Sequence, residues 1–117
     1  MQCRTFAPVE SEIAAVRRFV AQAAGSCPCD ADMAALVASE LATNAVLHAR
    51  SAFTVTVWPG DDGITIEVLD ENPRRPSASN AGPRDLSGRG LQLIDAVCDA
   101  WGVRPNDDGK AVWAHLT

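Results

Sequence analysis

The stretch from Asp30 to Arg50 constrains the fold more than any other part of the chain. Met33, Leu36, Val37, Leu41, Val46 and Leu47 recur at three- and four-residue steps, the period of a helix with one apolar face. The spacing predicts a helix over 30–49. Asp30 is its N-cap, and Asp32 lies in the first turn, where a carboxylate meets the positive end of the helix dipole. Glu40, Asn44 and His48 fall at i, i+4 and i+8 and form a polar row beside the apolar stripe, not opposite it. Polar groups at the edge of a buried face need partners from protein, water or ligand. The same spacing also suits a wet helix edge bonded to nearby backbone.

The rest of the chain arranges itself around that helix. Residues 2–8 read as a short extended segment ending at Pro8. Residues 9–24 carry Ile13, Val16, Phe19 and Val20 as a helical stripe, stopped by Gly25-Ser26-Cys27-Pro28. Residues 52–58 and 64–69 alternate and are rich in β-branched types. The turn formers Pro59 to Gly63 between them predict a β-hairpin. A third helix, 90–100, turns Leu91, Leu93, Ile94, Val97 and Cys98 inward. Segments 101–103 and 111–116 make a second hairpin about Pro105 to Gly109. Between the hairpins, 73–87 is poor in apolar residues and rich in Pro, Ser and Gly. A loop of that length is a functional lid or a plain surface segment, and its composition predicts mobility. The order predicts one domain, 1–117, of the α/β (α+β) class. It is a two-layer sandwich with helices on one face of a mainly antiparallel mixed sheet.

Composition narrows the function. A chain of 117 residues can bury a real core as one domain. Its net charge of −5 argues against a nucleic-acid backbone as main partner, although Arg74, Arg75, Arg84 and Arg89 allow a local basic patch. No apolar run approaches the roughly 20 residues of a membrane span, and there is no signal-peptide core, so a cytoplasmic location is expected. Cys3, Cys27, Cys29 and Cys98 include one close pair, Cys27-Pro28-Cys29. That pair lacks the second pair or the histidine of a zinc site. A redox pair and free loop thiols both remain open, and no structural disulfide is expected.

Several residue types point to nucleotide chemistry. Gly88-Arg89-Gly90 opens a helix with accessible backbone N–H groups, which suits phosphate or simply a tight turn. Asp70 ends a strand, where a carboxylate accepts from an exocyclic amine such as that of adenine, or serves as an ordinary turn residue. Asn44 offers an oxygen suited to Mg²⁺. Glu40, one turn earlier, has the chemistry of a general base toward a hydroxyl.

Taken together, Glu40-Leu-Ala-Thr-Asn44-Ala-Val-Leu-His48, Asp70-Glu-Asn-Pro and Ser87-Gly-Arg-Gly-Leu91 resemble the N, G1 and G2 boxes of the histidine-kinase-like (GHKL, Bergerat-fold) ATP-binding domains. The likeness runs from about Phe6 to Leu116. Within that family the chain is most similar to small anti-sigma-factor serine/threonine kinases. The resemblance implies a Bergerat-type fold with a mobile ATP lid at 73–87, and ATP and Mg²⁺ as cofactors. Asn44 would hold the metal, Glu40 would act as base, and Asp70 would read the adenine amine. Asn72 falls in the G1 box, and Gly88, Arg89, Gly90 and Leu91 would frame the phosphates. His48 would flank the nucleotide, or equally cap or pack its helix. The implied partners are a sigma factor and an anti-anti-sigma (STAS-type) protein phosphorylated on Ser or Thr, with a homodimer by analogy and no direct nucleic-acid or membrane contact.

The chain departs from the family pattern at three places. Asn72 and Arg74 stand where the G1 box commonly has glycines, with Pro73 between them. Ala111 stands where a small hydroxyl residue is expected near the adenine carboxylate. The lid lacks the multiple glycines of larger members. These departures motivate a rival reading, a non-catalytic nucleotide-binding or protein-only interaction switch.

Overall fold

The computed structural model describes residues 1–25, 27–49, 51–70, 88–106 and 109–117. The chain opens with strand β1 (Gln2–Phe6) and a 3-10 turn (Glu10–Glu12) that leads into helix α1 (Ile13–Ala24). Helix α2 (Ala31–Asn44) runs on into a π-helical segment (Ala45–Ala49). Strands β2 (Phe53–Pro59) and β3 (Ile64–Asp70), helix α3 (Gly88–Val97), and strands β4 (Ala100–Asn106) and β5 (Gly109–Leu116) follow.

The five strands form one sheet in the order β1-β2-β3-β5-β4. All four pairings are antiparallel, so the sheet is antiparallel throughout rather than mixed. Both predicted hairpins are present. The second is longer than the sequence pattern implied, because the pairing runs on through Arg104 and Pro105 to Asn106, opposite Gly109.

Alternation decides what each face of the sheet holds. Phe53, Val55 and Val57 on β2 and Ile64, Ile66 and Val68 on β3 are buried toward the helices. Val16 and Val20 of α1 and Val37 and Leu41 of α2 meet them there. Each such side chain contributes roughly 1.5–3 kcal/mol by leaving water. Phe6 closes one edge, stacked on Phe53 at 5.6 Å and edge-on to Phe19 at 6.0 Å. The other face carries Thr54, Thr56 and Thr65, and there Arg104 Nη2 meets Glu67 Oε2 at 2.5 Å across β5.

Two expectations about helix faces are corrected. Leu36 and Leu47 were placed in the apolar stripe of the central helix but are 39% and 58% exposed. Ala34, Ala35, Ala38 and Ala42 take much of the buried face instead. Leu47 lies beyond Asn44, where the wider π turn changes the angular step and carries it off the stripe.

Candidate functional site

The alternation that points Ile64, Ile66 and Val68 at the helices also points Asp70 there, at the end of the row. Asp70 is only 5% exposed. A carboxylate in that setting needs hydrogen bonds to offset its lost hydration. The backbone N–H of Lys110 donates to its Oδ1 at 3.3 Å. Gly109 makes this approach possible. A Cβ there would collide with the Asp70 carbonyl oxygen and stand 2.6 Å from Oδ1. The sequence reading took Gly109 for a turn former and missed this contact. The only sequence signal was its place two residues before the alternation of β5.

Asn44 is the last residue of α2 and is also 5% exposed. Glu40, one turn earlier, is half-buried. Between them, the Thr43 hydroxyl donates to the Ser39 carbonyl at 2.7 Å, so it is engaged within the helix and does not compete for the site. Helical bonding persists across the junction, since the Ala45 N–H reaches the carbonyls of Leu41 and Ala42. The π segment starts at that point. Such widened turns inside helices are frequent at functional sites.

Chain connection brings these groups to one end of the sandwich. The π segment packs against β3, and four residues after Ala49 the chain enters β2 at Phe53, whose partner in register is Asp70. The end of α2, the end of β3 and the start of β5 therefore converge. Helix α3 is fastened at the opposite end, where the Asp99 N–H donates to the His115 carbonyl at 2.8 Å. Its first turn, Gly88 to Leu91, is the end away from that bond. The sequence places Gly88, Arg89, Gly90 and Leu91 in a helix start, and the structure agrees on the backbone. Their side chains, and that of His48 in the π segment, lie outside the description. Asn72 and the lid 73–87 lie outside the described residues.

Residues 6–116 match the model of the histidine kinase-like ATPase domain. The chain belongs to this family. An uncharacterized protein of Streptomyces coelicolor is 45% identical over 49 residues, covering 40% of this chain and 47% of that protein. The chain thus spans about half the length of that curated relative.

Domains of the histidine kinase-like ATPase family bind ATP with Mg²⁺, and the polar groups gathered at this end suit both. The amide oxygen of Asn44 is a hard ligand of the kind Mg²⁺ takes alongside waters and phosphates. The Asp70 carboxylate is an acceptor for an amine. Ala111 is fully buried and pairs in register with Leu69, one step from Asp70.

Proposed function

We propose that this histidine kinase-like ATPase domain binds ATP with Mg²⁺ at the Asp70–Asn44 end and acts as an anti-sigma factor of the kinase type. The γ-phosphoryl group would pass to a serine or threonine of an anti-anti-sigma (STAS-type) partner, and a sigma factor would be its second partner. Asp70 accepts from the adenine amine and Asn44 ligates Mg²⁺. Glu40 takes the proton of the attacking hydroxyl, and the first turn of α3, Gly88 to Leu91, faces the phosphates. His48 and Asn72 flank the nucleotide. Catalysis of this kind rests on positioning and charge neutralisation. A homodimer and a cytoplasmic location belong to the same proposal. Among the described residues no helix is long and apolar enough to cross a membrane.

The observation that carries this reading is the buried Asp70 carboxylate, held by the Lys110 N–H and approached closely only because residue 109 is glycine. A buried charge kept at a strand end is costly for a purely structural role. Calorimetric titration with ATP tests it. Binding should require Mg²⁺ and be lost in Asn44→Ala, and labelled ATP with a cognate partner should give phosphoserine or phosphothreonine that Glu40→Ala abolishes. Tight binding with no transfer to any partner would favour the non-catalytic switch. No binding at millimolar ATP would end the nucleotide reading.

A further inference from the structure

Cys27 and Cys29 lie at the other end of the molecule from Asp70 and take no part in the reading above. They sit in the loop between α1 and α2, and all four cysteines are free thiols. The Cys29 N–H donates to the Cys27 carbonyl at 2.7 Å, closing a three-residue turn about Pro28. A turn that tight holds the flanking Cα atoms within the roughly 4.4–6.8 Å that a disulfide spans. The Cys27 thiol donates to the Gly63 carbonyl at 3.0 Å, tying the loop to the tip of the β2–β3 hairpin. Among the described residues, no cluster of three or more His, Cys, Asp or Glu side chains gathers around these thiols to hold a metal.

We propose that Cys27 and Cys29 are a reversible oxidation site, closed to a disulfide by a small disulfide of the glutathione type. The Cys27 thiolate attacks one sulfur of the oxidant, and the first small thiol leaves with a proton. Cys29 then loses its proton and attacks the Cys27 sulfur, and the second small thiol leaves. Two protein thiols are oxidised and one small disulfide is reduced to two thiols. Burial, then the hydrogen bond and charge of Cys27, push the Cys29 thiol up to about 11. A thiol held protonated is the slower attacker, so Cys29 resolves rather than initiates.

The bridge is labile by construction. Closing it removes the Cys27 S–H and with it the bond to Gly63, so the reduced state is the better bonded one and reducing thiols reopen the bridge. The loop it closes is too short to gain stability by constraining the unfolded chain. Oxidation therefore loosens the seam between the helix layer and the hairpin tip, immediately before the Asp30 cap of α2.

The test is to treat the full chain with excess oxidised glutathione, alkylate the remaining thiols and weigh the peptides. The 27–29 peptide should lose two hydrogens and resist alkylation until a reductant is added. Cys29→Ser should trap a glutathione adduct on Cys27, whereas Cys27→Ser should form an adduct on Cys29 at least tenfold more slowly. The melting temperature of the oxidised chain should fall by a few degrees and return on reduction. Full alkylation of both residues after oxidant, or bridges running to Cys3 or Cys98, would overturn the proposal. A melting temperature unmoved by a verified bridge would overturn its link to Gly63.

Discussion

Strands β3 and β5 use the same backbone device at both ends and put it to different use. At one end Gly63 lies so close to β5 that a Cβ would collide with the Leu116 carbonyl. At the other, Gly109 lies as close to the Asp70 carbonyl. Both glycines let two antiparallel chains converge where a side chain would hold them apart. The Gly63 end is closed by further bonds, from Gly60 N–H to the Gly63 carbonyl at 2.7 Å and from the Cys27 thiol. The Gly109 end holds a buried carboxylate. The geometry of convergence is thus neutral as to role, and the polar side chain beside it decides whether the end is a seam or a site.

Replacing the two glycines should break the comparison most sharply. Gly63→Ala and Gly109→Ala should each cost about 1–3 kcal/mol, because the new methyl overpacks against backbone that cannot retreat. Urea unfolding reads that cost. Only Gly109→Ala should also weaken ATP binding, at least tenfold, when both variants are titrated below their melting transitions. Equal ATP affinities would mean that the Gly109 end is a seam as well.

Asp70→Asn should separate fold from ligand at one position. Its amide oxygen can still accept from the Lys110 N–H, so the melting temperature should stay near that of the parent. ATP affinity should drop roughly 10–100-fold with loss of a charge-assisted hydrogen bond. Asp30→Ala acts at the thiol end, where the Asp30 carboxylate accepts from the N–H groups of Asp32 and Met33 at 3.0 and 3.1 Å. It should cost about 1 kcal/mol in urea unfolding and leave ATP affinity unchanged. Arg104→Ala on the other face should cost about 1 kcal/mol, since solvent screens a guanidinium whose side chain is 62% exposed while the buried Glu67 carboxylate loses this bond.

The smallest effect is on pH dependence. Burial, then the charges of Asp99 and Asp95, push the Cys98 thiol from 9.0 up to about 11. The folded state therefore holds that proton more tightly than the unfolded state. The resulting stability is present below about pH 9 and lost as pH rises toward 11. Cys98→Ala should flatten the fall in melting temperature over that window, and an unchanged slope would place the alkaline sensitivity elsewhere.

Local periodicity and turn chemistry determined much of this protein. Element types and order, both hairpins and the Asp30 cap were all legible, because each depends on residues a few positions apart. So was the position of Asp70 at a strand end. The resemblance to the family rested on the same short stretches, and the match over residues 6–116 bears it out. Which neighbour covers a face, and which residue of one strand opposes which of another, are set across long separations that no local pattern records. Leu36 read as core and is exposed, while Ala34, Ala35, Ala38 and Ala42 fill the buried face. Gly109 read as a turn residue, yet the approach of β5 to Asp70 needs it. Only the tertiary structure decided these two, because the packing of a helix face and the close approach of one strand to another depend on residues far apart in the chain.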